Sequence, residues 1–424
     1  MIDVIGTDAG APASLPATHQ ALIRAATHIA APRRLQPALQ DWLDDAAPEL
    51  ISSDDPRAVV RALVTLPADA TAVVLASGDP LWFGIGRILS DRLNPEVLRF
   101  HPAPTALQLA FARIGRPWQD ASWVSLHGRD PTILSAALLQ RPAALAVLTD
   151  PNQGGLDSVR RTLISSGLEA SYQLWMCENL GHPTERVLRI HPGDALPSPL
   201  QPLLTAVLLA EDPPAPAAPS LPLFGIDDGL FLQHADHPGL MTKREVRIQL
   251  LAELALPEQG VLWDLGAGTG SVGLEALRLR PHLQLLVVER RAGGAALIKA
   301  NAERLGVQPA QVCEQDALSL FNDASIPTLL KRPDRVLLGG GGRERGALLA
   351  MVLDKLQPEG VVVIPLATVE GLAELRPALE AAGCAVRISQ LQAWRGQPLG
   401  DGTRLAPMNP TFILSGTKKT QGSN

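Results

Sequence analysis

Aromatic residues are scarce in this 424-residue chain: 4% of it, with seven tryptophans, seven phenylalanines and one tyrosine. Broad stacking on successive nucleic-acid bases is therefore not expected. Positive charge is not in excess either. The 37 Lys and Arg are outnumbered by 43 Asp and Glu, for a formal charge of −6. That argues against a phosphate-neutralising surface, and so against a nucleic-acid partner, while leaving room for a local basic pocket. Cysteine occurs only at Cys177, Cys313 and Cys384. Three widely spaced thiols draw neither a disulfide framework nor a CxxC metal motif, and they suit a reducing, cytoplasmic setting. The nine histidines show no ligand spacing, so no metal is expected. No apolar run reaches the roughly eighteen residues of a membrane span. The opening MIDVIGTDAG lacks the basic and apolar regions of a secretory signal.

What is present is ample core material. Hydrophobic residues make up 46% of the chain and charged residues 19%, a globular balance. The length implies two or three domains. Residues 211–222, EDPPAPAAPSLP, hold five prolines among small residues and read as an extended interdomain linker. The expected domains are then 1–210 and 223–424.

Both halves alternate apolar strands with helical patterns, which implies an α/β architecture with parallel strands. In the first half, strands are expected at 2–5, 71–76 and 144–148. Helices are expected at 16–28, from about Phe83, and at 105–114, with a division into two lobes near 102–105. In the second half, strands are expected at 260–265, 284–289, 335–338, 360–365, 385–390 and 411–415, with a short one near Val312. Helices are expected at 272–279 and 293–305. No helical pattern joins the last two strands, so an antiparallel pair should close one sheet edge.

The sharpest motif is Val261-Leu262-Trp263-Asp264-Leu265-Gly266-Ala267-Gly268-Thr269-Gly270. An apolar strand ends in a turn that must bend sharply and admit a ligand against the backbone, which glycine permits. The following helix then presents its amides. The spacing is not G-x-G-x-x-G, and the P-loop lysine is missing, which weighs against dinucleotide and NTP sites. The next strand ends in Glu289, about twenty residues beyond the last glycine, where a carboxylate can accept from both hydroxyls of a ribose. Gln315-Asp316-Ala317 follows the short strand near Val312 and is placed to sit over an adenine. Each feature also has a plainer reading, the glycines as a tight turn and Asp316 as a loop acid. Together they resemble the class I S-adenosylmethionine (SAM) methyltransferases.

Further motifs extend the resemblance. They are Leu240-Met241-Thr242-Lys243-Arg244-Glu245-Val246-Arg247, the glycines 339–342 and Gly400-Asp401-Gly402-Thr403-Arg404…Asn409-Pro410. With the glycine turn, they resemble the second domain of the precorrin-6Y C5,15-methyltransferase (decarboxylating) family of cobalamin biosynthesis, over residues 224–418. The first half carries Ser77-Gly78-Asp79-Pro80-Leu81-Trp82-Phe83-Gly84, Ser125-Leu126-His127-Gly128-Arg129, Thr149-Asp150-Pro151 and Glu178-Asn179-Leu180-Gly181. These resemble the tetrapyrrole methylases, a separate two-lobed SAM-binding fold.

The resemblance implies a Rossmann-like class I sheet in the second half and two SAM sites, one per domain. It assigns C5 methylation to the first domain, and C15 methylation with loss of the C12 acetate carboxyl to the second. It also implies a tetrapyrrole substrate, metal-free or carrying cobalt, and a homo-oligomer, a tetramer by analogy with the second domain's family. A SAM methyltransferase with another acceptor is the rival reading.

Cofactor contacts are expected at Gly6, Gly78, Asp79, Thr105 and Thr149 in the first domain. In the second they are expected at Thr242, Asp264, Gly266, Gly268, Thr269, Gly270, Glu289, Asp316 and Ala317. Ser-Gly-Asp-Pro also has the plainer reading of an ordinary turn before a helix. Thr242 and Glu245 read as a capping box, which places Lys243 and Arg247 on one helix face. Those two, with Arg343, Arg345, Arg395 and Arg404, and His127 with Arg129 in the first domain, are candidates to meet the substrate's many carboxylates. A solvated basic face is the plainer alternative.

Overall fold

The structure is a computed structural model. It describes every residue except 44–47, 68–69, 131, 235, 238–240, 323, 340–341, 400–401 and 421–424, and the side chains of 153, 321, 322 and 343. The chain forms two compact units. One comprises Met1–Asp130, Ala143–Arg160 and Gln173–Leu209, the other Pro131–Pro142, Arg161–Tyr172 and Ala210–Asn424.

The first unit is built on two five-stranded sheets. The first runs Glu49–Ser52, His28–Ala31, Ala72–Ser77, Ile2–Thr7, Leu98–His101, and all its recorded pairings are parallel. Its central strands are mostly apolar and buried on both faces, as parallel strands covered by helices must be. The division into two sheets falls after Leu98–His101, in keeping with the two-lobed expectation. The second sheet runs Ala121–Ser125, Ala144–Leu148, Leu204–Ala210, Tyr172–Glu178, Arg186–Ile190. It departs from the all-parallel expectation: Ala144–Leu148 pairs antiparallel with Leu204–Ala210, and Tyr172–Glu178 with Arg186–Ile190. The connection from Glu178 to Arg186 is too short for a crossover helix, so the chain must turn back on itself. The helix expected over 16–28 stops at Ala25, and His28 already begins a strand.

The second unit carries a seven-stranded sheet in the order Gln311–Glu314, Leu283–Glu289, Gly260–Leu265, Arg335–Leu338, Val361–Leu366, Thr411–Lys418, Cys384–Leu391. The first five are parallel. Thr411–Lys418 runs antiparallel to both neighbours, giving the expected antiparallel edge. Side chains alternate between two cores: Val261, Trp263 and Leu265 pack into one, Leu262 into the other. A hairpin of Trp394–Leu399 and Gly402–Pro407 is inserted between the last two sheet strands. Strand order reverses between Gly260–Leu265 and Arg335–Leu338. In an open α/β sheet this opens a crevice at the strands' carboxyl ends.

The proline-rich segment is held against this unit. Arg304 donates to the carbonyls of Pro213 and Pro214 at 2.7 and 2.8 Å. Arg278 donates to those of Ala218 and Leu221 at 3.3 and 3.2 Å. Among the described residues, no helix is long and apolar enough to cross a membrane.

Candidate functional site

At the carboxyl ends of the seven-stranded sheet lies a cavity of about 740 Å³. Its floor is the glycine turn. Gly266, Gly268 and Gly270 adopt φ of 74°, 59° and 78°, in the left-handed region where a Cβ is strained. The turn is tied to the neighbouring strand by Gly266 and Ala267 N–H donating to Val288 O at 2.9 and 3.1 Å. Glu289, at that strand's end, accepts from Gly268 N at 2.7 Å and from Arg291 N at 2.9 Å. Gly294 leaves room for it, since a Cβ there would lie 2.7 Å from Glu289 Cγ.

Six of the expected cofactor residues line this cavity: Thr242, Gly266, Gly268, Glu289, Asp316 and Ala317. Asp316 also closes its own turn, accepting from Leu318 N at 2.8 Å.

Three others lie behind the loop. Asp264 is 1% exposed and accepts from Gly273 N at 3.0 Å. Strand alternation turns it toward the helix Ser271–Leu279 instead of the cavity. Burial pushes its carboxyl up to about 7; the Gly273 bond opposes this and nearby Glu289 adds to it. Thr269 is buried and its carbonyl accepts from Asn301 Nδ2 at 3.0 Å. Gly270 caps the helix, and a Cβ there would press on Ile298 at 3.1 Å. Cofactor contacts were expected at all three; they brace the turn and are not part of the cavity lining.

The cations divide similarly. The Thr242/Glu245 capping box does not form. Helix Arg244–Glu253 starts after Lys243 with no side-chain cap, because Glu245 is drawn to Arg395 at 2.7 and 2.8 Å. Arg247 is fully buried. It donates to Glu275 at 2.9 Å, Asp228 at 2.6 Å, Thr242 O at 2.7 Å and the Ile226 carbonyl. Its charge is matched inside the protein, so the expectation that it meets a substrate carboxylate is overturned. Arg395 is spent likewise on Glu245 and Asp228. Arg345 donates to Gly342 O at 2.7 Å, closing a turn. Arg404 sits in the hairpin opposite Gln397, outside the cavity lining. Lys243 does line the cavity. Burial lowers its pKa, and the Asp228 carboxylate counteracts this. Gly339 and Gly342 line it as well. Leu240, Gly340, Gly341, Gly400, Asp401 and the Arg343 side chain lie outside the described residues.

Sequence reasoning missed part of the wall. Pro365, Leu366, Ala367, Met408 and Thr411 also line the cavity. They come from strand ends and loops with no local motif. It also missed Asn301, fully buried, which accepts from Leu232 N at 2.8 Å and fixes Thr269.

In the first unit, Gly6, Gly78 and Thr105 come together. A Cβ on Gly6 would meet Gly78 O at 2.6 Å and Ala103 Cβ at 2.7 Å, and one on Gly78 would stand 3.5 Å from Thr105 Cα. Gly78 has φ 69° and donates to Thr7 O at 2.7 Å. Asp79 accepts from Leu81 N at 2.8 Å, so its carboxylate closes the turn. Thr105 and Gln108 form a capping box on helix Ala106–Ile114. Thr149 is buried and donates to Leu204 O at 2.7 Å. Asp150 accepts from Gly128 N at 2.9 Å, fixing the loop that carries His127 and Arg129, both exposed.

Residues 1–195 match the family model of tetrapyrrole (corrin/porphyrin) methylases, and residues 233–418 that of the precorrin methyltransferase domain. A precorrin-6Y C(5,15)-methyltransferase (decarboxylating) of Sinorhizobium sp is 35% identical over 363 residues, covering 84% of this chain and 83% of that protein. One of Mycobacterium tuberculosis is 30% identical over 436 residues, covering 99% and 100%. A probable cobalt-precorrin-6B C(15)-methyltransferase (decarboxylating) of Pyrobaculum aerophilum is 36% identical over 193 residues, covering 45% of this chain and 94% of that protein.

Proposed function

This chain belongs to the precorrin-6Y C(5,15)-methyltransferase (decarboxylating) family, and from that membership we propose a division of labour between its halves. The enzyme is SAM-dependent, methylates its corrin precursor at C5 and C15, and decarboxylates it, in cobalamin biosynthesis. The first half, 1–210, adds the C5 methyl. The second, 223–424, adds the C15 methyl and releases carbon dioxide from the C12 acetate. Each half holds its own SAM.

The observation that carries the second site is Glu289, whose carboxylate reaches back to Gly268 N at 2.7 Å on the cavity floor. A carboxylate so held is oriented to accept two ribose hydroxyls. Gly266 and Gly268 beside it carry no Cβ to block a close approach. Asp316 and Ala317 border the same cavity, as an adenine site requires. SAM supplies an electrophilic methyl on a sulfonium. The protein's task is to hold the acceptor carbon in line with it and to exclude water. Lys243 stands at the cavity to meet a ring carboxylate. The electron pair left by carbon dioxide passes into the conjugated ring, so the side chains need only fix the ring's position. In the first half, the convergence of Gly6, Gly78 and Thr105 supports a cofactor site of its own. A cytoplasmic homo-oligomer completes the proposal, on family grounds; sedimentation of the purified chain measures its size.

The test is incubation of the full chain with SAM and the precursor ring, metal-free and cobalt-containing in parallel, read by mass. A gain of two methyl groups and loss of one carbon dioxide is expected with one of the two. If neither ring changes mass, the acceptor assignment fails. The match of 1–195 to tetrapyrrole methylases disfavours an unrelated acceptor.

A further inference from the structure

The chain has few aromatic side chains, yet three of them meet at the surface of the first unit. Trp82 and Phe83 stand edge to face with ring centroids 4.8 Å apart. Trp123 meets Trp82 at 5.5 Å and Phe83 at 5.0 Å. Trp82 packs against the core formed by Leu107, Phe111 and Val207 and anchors the group. The other two are presented outward, Phe83 at 37% and Trp123 at 46% exposure, beside Leu81 at 58%. Large apolar side chains in a contiguous exposed patch mark a binding surface more often than an accident of folding.

The backbone supports the same conclusion. Phe83 adopts φ of 59°, a left-handed conformation that is a genuine outlier for a bulky side chain. Strain of this kind persists where the surroundings hold it. Here the Ser77–Pro80 turn, closed by Asp79, precedes Phe83, and Gly84 at φ 90° follows it. Four residues separate Phe83 from Gly78, on the turn already assigned to the cofactor. Trp123 comes from a different segment, the edge strand Ala121–Ser125 of the second sheet, so the patch spans both sheets of the unit. A cation borders the rings: the Arg129 guanidinium lies 5.2 Å from the Phe83 ring centroid.

We propose that Phe83 and Trp123, seated on Trp82, form the platform that receives the apolar face of the macrocyclic substrate for C5 methylation, with Arg129 meeting a carboxylate at the ring's rim. The proposal rests on the tetrapyrrole reading above. It commits to that occupant because the patch pairs flat apolar rings with a cation, the complement of a conjugated ring edged with carboxylates. It also adjoins the turn where the methyl donor is to be held. The platform residues position substrate and take no part in bond making.

The experiment uses the full chain and separates the two methyl transfers by mass and fragmentation of the products. Trp123→Ala and Phe83→Ala are each expected to raise KM for C5 methylation roughly tenfold, with kcat within about twofold. C15 methylation and binding of S-adenosylhomocysteine should be unchanged. Trp123→Phe, which keeps a ring, should restore most of the loss, whereas a variant whose first unit merely unfolds would lose kcat for C5 methylation and S-adenosylhomocysteine binding there. An unchanged KM for C5 methylation sinks the platform. So does an equal loss of both methylations, or a changed oligomeric state with normal kinetics, which would make the patch a self-association surface. If the wild-type chain methylates neither form of the ring, the platform falls with the reading beneath it, a result distinct from failure of the variants alone.

Discussion

Asp264 ends an apolar strand with its carboxylate sealed from solvent and one strong partner, the Gly273 N–H at 3.0 Å. Its folded-state pKa of about 7 lies above the ordinary 3.8. Between those values the folded chain keeps a proton that the unfolded chain has released. Stability must therefore fall as pH rises from about 4 to about 7 and level off above, with a slope of up to roughly 1.4 kcal/mol per pH unit from this one group. Asp264→Asn keeps an oxygen for Gly273 and removes the titration. The difference in unfolding free energy between variant and wild type should then grow with pH across that window, in the variant's favour. Urea melts at several pH values measure it, and a difference flat with pH would refute the assignment. Glu289 ends the next strand but faces the cavity. The same residue class at neighbouring strand ends thus packs behind the turn in one case and lines the cavity in the other, and the side to which each points separates them.

The helix Arg244–Glu253 shows what the element scale adds. Its first turn is set by long-range ion pairs. Glu245 binds Arg395 of the hairpin, and Arg247 binds Asp228 and Glu275. A local rule saw a capping box, because its two residues stand at the right spacing. The stronger charge-assisted bonds to distant segments took Glu245 away. Replacing Arg247 by Met would leave Glu275 buried against backbone donors without its guanidinium, and would leave Asp228 with Arg395 in place of two guanidinium partners. The expected cost is about 3–5 kcal/mol, read as a drop in the urea midpoint. Replacing Arg247, Asp228 and Glu275 together by apolar residues of similar volume should recover much of it. A single Arg247→Met variant as stable as wild type would show that the pairs contribute little.

At the scale of the whole molecule, the two proposed cofactor sites stand on separate sheets, so they should fail separately. Glu289→Ala removes a carboxylate expected to make two charge-assisted hydrogen bonds. It should weaken S-adenosylhomocysteine binding at the second site on the order of a hundredfold. The product should then carry the C5 methyl alone and retain its carboxyl group. Titration calorimetry and product mass report the two effects. Loss of both methylations from a folded Glu289→Ala protein would contradict the two-site arrangement.

Local information was enough for much of this. A strand running into Gly266-Ala267-Gly268-Thr269-Gly270, with Glu289 at the next strand's end, can be read from the chain because strand periodicity and left-handed glycine turns are short-range properties. The antiparallel edge was legible for the same reason, from a missing helical pattern between the last strands. The fate of each charge was not. Lys243, at the helix's cap, and Arg247, in its first turns, are four residues apart, yet one borders the cavity and the other is buried against Asp228 and Glu275. Trp82, Phe83 and Trp123 form one surface though Trp123 lies forty residues along the chain. Burial and pairing depend on what distant segments bring to the same place, and only packing decides that.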